Sequence, residues 1–376
     1  MSDDLKRQAG REIEKRKSVA RFEQFMHGVL NNHESTNLDI VRYMRPMERT
    51  ESFIPMDWLD HVALLMPRVI DILISKVSLR RCNYIDLPDS VFSSAKLQHL
   101  KMGLNTDEST IIRPASINLP LLKVLELSGV ELPNDFTQKL FMGCPSLERL
   151  DLSFCDLYFS SISSNVLKKL TIIQCCQFEH MQISCPWLVS LNIHSHFQRG
   201  GVGISLKKAI NLVNASIRLI WWRRLNSGHD DVPVLDLFSC LSSVTELALY
   251  FGSDLKEPVE KDVSNCRNFK NLKKLHIEMW AMSYDFYLIA CLLKCSPNLN
   301  ELNLLVNVHQ GYIQQEPRRE ILGDAFFQHE YLENVNIRIR GGMLPSECYE
   351  GLIKTLDKYV KKIGNIIITY DEVSMF

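Results

Sequence analysis

A group of histidine and cysteine side chains near the middle of the chain has the residue types that could support metal binding or covalent catalysis. His194 and His196 are two residues apart, and Cys175, Cys176 and Cys185 lie shortly before them. Imidazole and thiolate are the usual ligands of zinc, and a cysteine beside a histidine can act as an activated nucleophile. These residues define one candidate function, a hydrolase or transferase that uses His194, His196 and a cysteine.

Two other segments could contact a ligand. Residues 200–203 are rich in glycine, but they lack the Gly-Lys-Ser ending of a phosphate-binding loop, so we interpret them as a turn. Trp221, Trp222 and Arg223 stand at the start of a polar interruption, residues 220–233, and form a candidate loop hot spot for a protein partner. The same side chains could stack on nucleobases, or belong to an insertion that folds back on the outer side.

The composition is that of an ordinary globular protein. The 376 residues include 43 Lys and Arg against 44 Asp and Glu, and the resulting net charge of −1 gives no field that would attract nucleic acid or an anionic membrane. No apolar run is long enough to span a bilayer, and the charged N-terminal residues do not resemble a signal peptide. We therefore expect an intracellular protein, in the cytoplasm or nucleus, that binds neither nucleic acid nor membrane and keeps its cysteines reduced.

The elements that would position these side chains follow a repeat. The pattern Leu-x-x-Leu-x-Leu/Ile begins six times, at Leu122, Leu147, Leu167, Leu188, Leu272 and Leu299. Looser copies extend the array to thirteen units of about 27 residues, a length typical of leucine-rich repeats. The looser copies are Leu38/Val41/Tyr43, Val69/Ile72/Ile74, Leu97/Leu100/Met102, Leu212/Ala215/Ile217, Val244/Leu247/Leu249, Leu332/Val335/Ile337 and Ile363/Ile366/Ile368. The sequence predicts an α/β leucine-rich-repeat solenoid, with a curved parallel β-sheet and outer helices or loops.

The repeat also predicts which side chains face solvent on the concave side of the sheet. Alternate residues of a strand point to opposite faces, so the last two Leu or Ile positions of each unit enter the core and the residues around them do not. Charges of both signs alternate among these exposed positions, which suits a protein target better than a phosphate backbone. The predicted partner-binding residues are Lys101, Glu126, Arg149, Asp151, Lys169, Asn192, His194, Arg218, Glu246, Tyr250, Lys274, His276, Glu301, Asn303 and Arg338.

The same repeat weakens the catalytic hypothesis. Cys155 and Cys175 fall at the turn position after a strand, where Asn or Cys is usual and the side chain is buried. The sequence has no Gly-x-Ser-x-Gly elbow. Cys291 and Cys295 are four residues apart, but no His or second Cys pair follows them at the spacing of a zinc finger. We therefore predict a binding module that is not an enzyme, with no metal, no cofactor and no catalytic residue, and keep the hydrolase or transferase as the alternative.

The ends of the chain differ from the middle, so the sequence predicts three parts. Residues 1–20 are a charged leader that we expect to be flexible, and residues 21–330 are the repeat solenoid with an N-terminal helical cap. Residues 331–376 contain further repeats and a C-terminal cap, whose helix begins at Ser346. Outer helices are also predicted at residues 134–141 and 283–293.

Several short motifs, in this order, resemble one known family. They include Leu87-Pro88-Asp89-Ser90-Val91-Phe92, Cys144-Pro145-Ser146-Leu147, Ser296-Pro297-Asn298-Leu299 and, in the tail, Leu332-Glu333-Asn334-Val335. Over residues 19–371 the chain resembles the plant F-box/LRR-repeat/FBD proteins, with residues 331–376 similar to the FBD part. The resemblance implies the substrate-recognition part of an SCF-type E3 ubiquitin ligase receptor, in which an F-box binds the Skp adaptor and the repeats hold a target protein.

The sequence departs from that family near its start. Leu-Pro pairs and a terminal Trp are typical of an F-box, and the residues before Phe22 contain neither. We therefore expect this chain to bind a target protein, whose identity the residues do not reveal, and not to bind the Skp adaptor.

Overall fold

The computed structural model describes residues 38–47, 58–76, 87–105, 110–176, 180–197, 203–221, 234–251, 269–280, 287–307, 329–341 and 346–371, with single positions at 21, 24, 25, 28, 29 and 262. The α-helices are α1 (Trp58–Leu64), α2 (Phe136–Gly143), α3 (Tyr287–Cys295) and α4 (Ser346–Tyr359). The strands are β1 (Ile40–Met47), β2 (Val69–Lys76), β3 (His99–Asn105), β4 (Thr110–Ile111), β5 (Val124–Ser128), β6 (Val130–Leu132), β7 (Arg149–Ser153), β8 (Asp156–Leu157), β9 (Ser161–Ser163), β10 (Lys169–Ile173), β11 (His180–Ser184), β12 (Ser190–Phe197), β13 (Gly203–Lys207), β14 (Asn214–Trp221), β15 (Val234–Asp236), β16 (Glu246–Phe251), β17 (Lys274–Trp280), β18 (Glu301–Asn307), β19 (Leu332–Arg340) and β20 (Ile363–Asp371).

The chain divides into two compact units. Unit 1 comprises Met1–Glu131 and Gln138–Leu147, and unit 2 comprises Leu132–Thr137 and Glu148–Phe376. Among the described residues the principal sheet has thirteen parallel strands. Unit 1 contains β1-β2-β3-β5 of this sheet, and unit 2 contains β7-β10-β12-β14-β16-β17-β18-β19-β20.

The strands form because each unit of the repeat buries alternate apolar side chains. In unit 2 the parallel register places one residue of each sheet strand from β7 to β19 in a single buried row, and the intervening residues lie on the opposite face of the sheet; the next position, Ile366 of β20, is 46% exposed. That row contains Leu150, Leu170, Leu191, Ala215, Leu247, Leu275, Leu302 and Val335. In unit 1 the equivalent row contains Ile70, Leu100 and Leu125.

The segments that connect successive strands of the principal sheet differ along unit 2, and we refer to these connecting segments as returns. Short strands form a second parallel sheet in the order β15-β13-β11-β9, whereas helices α3 and α4 precede β18 and β20. The return that contains β9 is rich in serine and too short to nucleate a helix, so its residues pair with a neighbouring return instead. Cys155 and Cys175, which follow β7 and β10, are both buried, as the repeat pattern predicts.

The structure confirms the predicted fold class, and a strand of the sheet stands at each of the thirteen predicted sites. One predicted frame is wrong. The pattern favoured Val69/Ile72/Ile74 for β2, but the register pairs Ile70 with Leu100 and Ile72 with Met102, which moves the frame two residues towards the N-terminus. Ile70, Ile72 and Ile74 are all buried, so the alternation alone could not distinguish the two frames.

The predicted helices at residues 134–141, at 283–293 and from Ser346 are confirmed with small shifts in their bounds. At the predicted N-terminal cap, Phe25 and Val29 are helical but exposed, and the other apolar residues between positions 19 and 30 lie outside the described residues. Residues 1–20, 222–233 and 308–328 also lie outside them. Within the part of the chain that the structure describes, every helix is too short or too polar to cross a membrane.

Candidate functional site

One face of the unit 2 sheet carries the polar side chains that alternate with the buried rows. We refer to it as the polar face. Because the strands pair in register, residues from strand to strand form continuous rows on it. The predicted site residues on this face are Arg149, Asp151, Lys169, Asn192, His194, Arg218, Glu246, Tyr250, Lys274, His276, Glu301, Asn303 and Arg338. Lys101 and Glu126 occupy the equivalent face of unit 1, where their side chains form an ion pair of 3.6 Å.

Charges of opposite sign are neighbours along the polar face. Arg149 pairs with Asp151 on its own strand. Lys274 Nζ lies 3.8 Å from Glu301 Oε2 on the adjacent strand, and Arg338 Nε lies 3.8 Å from an oxygen of Asp371. This mixture of signs favours a partner with its own mixed charges, because a polyanion would meet as many carboxylates as cations.

Four side chains from neighbouring strands form a connected cluster on the face. Arg218 of β14 lies across the ring of Tyr250 on β16, with the guanidinium carbon 4.4 Å from the ring centre. The same guanidinium forms an ion pair with Glu278 on β17. Asn307 on β18 donates to the second oxygen of Glu278 at 3.2 Å. The Glu278 side chain is only 12% exposed, so these two partners stabilise a carboxylate that has lost most of its water.

A hollow of about 260 Å³ lies beside this cluster. Its lining includes Asn192, Ser216, Ala248 and His276, which stand side by side on four successive strands. Ser216 and Ala248 are small, and Arg218 reaches away from its own strand towards Glu278, so the space above the two middle strands stays open. The hollow is large enough to hold a single side chain of a partner.

The hollow offers hydrogen-bonding groups more than net charge. Arg218 brings the positive charge and Glu278 the negative one. Partial burial lowers the pKa of His276, and the nearby cations Arg338 and Arg218 lower it further, while Glu278 opposes them. His276 is therefore a neutral imidazole at pH 7, able to donate one hydrogen bond and accept another.

Asparagines continue the polar rows towards the C-terminal strands. Asn336 donates to Asn303 at 2.8 Å, and Asn303 donates to Glu301 at 2.9 Å. One row away, Asn365 donates to Asn334 at 3.1 Å. These bonds, two of which join adjacent strands, hold the side chains in fixed orientations, which lowers the entropy that would be lost on binding a partner.

Among the side chains that the structure describes, the histidines and cysteines do not come together as a nucleophilic site. His194 lies on the polar face, whereas Cys175 and Cys185 are buried, and the side chain of His196 lies outside the described ones. Burial raises the pKa of Cys176 to about 12, and its hydrogen bond to Asp156 adds to the effect. In the described residues no group of three His, Cys, Asp or Glu side chains is arranged to hold a metal ion.

The candidate loop hot spot falls largely outside the described residues. Trp221 ends β14, where it pairs with Phe197, and Trp222 and Arg223 are not described. Conversely, the pattern did not single out Ser216, Ala248 and Asn307. For Ser216 and Ala248 the sequence does hold a signal: aligning the strands by their buried leucines places these two small residues side by side, between the larger Asn192 and His276.

Comparisons with known proteins give related sequences. The family model described as At1g61320/AtMIF1, LRR domain, matches residues 29–339. Among proteins of Arabidopsis thaliana, the chain is 30% identical to F-box/FBD/LRR-repeat protein At3g59240 over 228 residues, which are 57% of this chain and 44% of that protein. It is 25% identical to F-box/LRR-repeat protein At4g00320 over 357 residues, 86% of this chain and 66% of that one.

A third relative from Arabidopsis thaliana, F-box/FBD/LRR-repeat protein At1g51370, is 29% identical over 265 residues, 66% of this chain and 56% of that protein. The chain therefore spans between 44% and 66% of the length of these curated relatives.

Proposed function

We propose a function from the premise that this chain belongs to the plant F-box/FBD/LRR-repeat protein family: its repeats bind a target protein on the polar face, and the hollow beside Arg218 receives a side chain of that target. The leucine-rich-repeat domain of the family points to a binding module and not to a catalytic one. The polar face and its hollow supply a location for that binding.

The hollow is the observation that carries the proposal. It lies near the middle of the unit 2 sheet, among strands β10 to β17, and is surrounded by polar groups with fixed positions. Binding energy in protein interfaces is concentrated where a side chain enters a well-formed pocket surrounded by weaker contacts. The ion pairs and asparagines around the hollow would form those weaker contacts.

For the whole protein we propose the role of the substrate-recognition part of an SCF-type E3 ubiquitin ligase receptor. The support is the order of the sequence motifs and the F-box in the names of the relatives. Under this proposal residues 1–376 contribute target binding, and we assign them no binding of the Skp adaptor. Copurification of these residues with the adaptor in a stable one-to-one complex would contradict the second part.

Charge reversal on the polar face tests target binding. Proteins captured from plant extract by the purified chain are identified by mass spectrometry, and one is produced in recombinant form for calorimetry. The triple variant Arg149→Glu, Lys169→Glu and Lys274→Glu should abolish its binding. A control that reverses Lys123, Lys270 and Lys354, three exposed lysines away from the polar face, should retain it.

A second variant tests the hollow itself. Ala248→Leu fills the hollow without changing any charge, and we expect it to weaken binding of the same protein by about tenfold or more. Thermal denaturation of each variant shows whether the fold is intact. Unchanged affinity in both the charge-reversed and the filled variant would place the binding site elsewhere and overturn the proposal.

A further inference from the structure

The side chains that line the hollow on the polar face restrict the chemistry of its occupant. Arg218 and Glu278 both line it and form an ion pair with each other, so their charges cancel. Their remaining contacts, together with the neutral groups around them, decide which kind of side chain the hollow favours.

A charged side chain is a poor occupant of the hollow. A carboxylate would approach the Glu278 carboxylate, which is only 12% exposed and is therefore poorly screened by water. A Lys or Arg side chain would approach Arg218, and it would find both oxygens of Glu278 already bonded, one to Arg218 and the other to Asn307. Partial burial lowers the pKa of His276, so this ring is neutral at pH 7 and does not alter the balance. The favoured occupant is therefore a neutral side chain.

Among neutral side chains, the guanidinium of Arg218 favours an aromatic ring. Its central carbon lies 4.4 Å from the centre of the Tyr250 ring, and the Arg218 side chain is still 35% exposed where the hollow begins, so Tyr250 does not cover it completely. A guanidinium is planar and weakly hydrated, and it can contact an aromatic ring on each of its two faces. The bonds to Glu278 and Tyr250 already fix its position, so a second ring would bind without first ordering a flexible side chain. An aliphatic side chain would gain none of this attraction.

The other groups of the hollow suit a ring that carries a hydrogen-bonding group. Ser216 and Ala248 are neighbours on adjacent strands, and two such small side chains leave space for a ring above them. Asn192 and His276 stand on either side of this pair, and both can donate and accept hydrogen bonds. A phenol hydroxyl or an indole N–H at the edge of the ring could bond to one of them. Tyr and Trp combine these two features.

We propose that the hollow is a site for a Tyr or Trp side chain of the target protein, with its ring against Arg218 and above Ala248. The O–H or N–H of that side chain bonds to Asn192 or His276. This assignment rests on the function proposed above, because it names the residue type that the target inserts into the hollow. Tyr and Trp are also residue types in which the binding energy of protein interfaces is often concentrated.

Small molecules that match single side chains test the hollow without a target protein. The probes are p-cresol for Tyr, methylcyclohexanol as its non-aromatic counterpart of similar size, n-butylammonium for Lys and propionate for Glu. Each is titrated into the full chain, isotope-labelled at the alanine methyl groups. NMR follows the Ala248 signal, which is assigned by its absence from the spectrum of Ala248→Leu.

The p-cresol ring should shift the Ala248 methyl signal upfield, and p-cresol should bind at least about fivefold more tightly than methylcyclohexanol. Propionate and n-butylammonium should bind more weakly than p-cresol by a similar factor. The double variant Arg218→Gln, Glu278→Gln leaves neither charge without its partner, and in it the preference for p-cresol over methylcyclohexanol should fall to about twofold or less. The matched control removes an ion pair of unit 1 in the same way, with Arg42→Gln and Asp71→Asn, and should keep the full preference.

Three results would overturn the assignment of an aromatic side chain. They are equal affinity for p-cresol and methylcyclohexanol, the same preference in the double variant as in the unchanged chain, and tighter binding of either charged probe. An Ala248 signal that responds to none of the probes would overturn it as well.

Target binding has a separate readout. If Ala248→Leu weakens binding of the target while the probes show no aromatic preference, the proposed function stands and the aromatic assignment fails. If the probes show the preference while both Ala248→Leu and the charge-reversed variant keep full affinity for the target, the hollow selects aromatic rings and the proposed function fails.

Discussion

Arg218 lies across the ring of Tyr250, with its guanidinium carbon 4.4 Å from the ring centre. A cation over an aromatic face is attracted by the electrons of the ring, and the effect grows when water is excluded. Tyr250 is 7% exposed, so the arginine covers a nearly buried ring. The contact directs Arg218 towards β17, and the hollow beside it results from this direction.

The first prediction concerns the stability of the Arg218 cluster. Arg218→Ala should lower the free energy of unfolding by about 1–3 kcal/mol, because the largely buried Glu278 carboxylate keeps its charge and loses its cation. Denaturation in urea measures the change. The Arg338→Ala control should cost less than about 0.5 kcal/mol, because that side chain is 60% exposed and its partner is 3.8 Å away.

A double variant checks the cause. Adding Glu278→Gln to Arg218→Ala removes the unpaired charge and should recover part of the loss. The result to compare is the sum of the stability losses of Arg218→Ala and Glu278→Gln, each measured alone. If the double variant loses that sum, the ion pair contributes nothing and Arg218 acts only through packing on Tyr250.

The sequence predicted the sheet because each strand repeats the same local rule. Leu191 and Ile193 are 1% exposed while Asn192 between them lines the hollow, and this alternation can be recognised from one strand alone. Predicting the hollow from the sequence requires more than one strand. It depends on Ser216 lying beside Ala248 and on the direction that Arg218 takes, and both depend on residues that are 30 or more positions apart in the chain.

The second sheet was not predicted for a different reason. Strands β11 and β13 bury only Met181 and Ile183, and Ile204 and Leu206, on the core side. Two alternating apolar residues occur often by chance and do not distinguish a strand from an irregular return. Pairing with the neighbouring return stabilises these short strands, and a single repeat does not contain that information.

The second prediction concerns cysteine reactivity. Burial raises the pKa of Cys144 to about 12 and that of Cys185 to about 11. The pKa of Cys176 is raised to about 12 by burial and by Asp156. Since the thiolate is the reactive form, these residues should resist iodoacetamide at pH 7.5 in the folded protein and react once it is unfolded. Peptide mapping by mass spectrometry measures each site, and rapid native alkylation of Cys176 would revive the catalytic alternative.

The third prediction concerns stability in mild acid. His329 is 3% exposed, and its Nε2 lies 3.1 Å from the Ser296 carbonyl, so the neutral ring donates this hydrogen bond. Burial lowers the pKa of His329, against the opposing effects of Ser296 and Glu330. The unfolded chain therefore takes up this proton at a higher pH, near 6.5, than the folded chain does. Stability should fall as the pH decreases below about 6.5, by at most about 1.4 kcal/mol per pH unit from this residue.

The variant His329→Gln isolates that contribution, because glutamine can still donate to the Ser296 carbonyl but does not titrate. Urea denaturation of both proteins at pH 7.5, 6.5 and 5.5 gives two curves of stability against pH. The difference between the curves cancels the other titrating groups. Parallel curves would show that His329 is protonated as easily in the folded chain as in the unfolded one.

The last prediction concerns the close approach of two backbone segments in unit 1. Gly143 ends α2, and its carbonyl accepts a hydrogen bond from the Leu119 N–H at 2.9 Å. A Cβ atom at this position would lie 1.9 Å from the Ile117 carbonyl oxygen, so Gly143→Ala must displace backbone and should cost about 2–4 kcal/mol in urea denaturation. At Gly103 a Cβ atom would instead meet the end of the Leu73 side chain at 2.7 Å, which can rotate away, so Gly103→Ala should cost roughly 1 kcal/mol. If the two variants proved equally stable, the segment around Ile117 would not pass against the end of α2 as the structure has it.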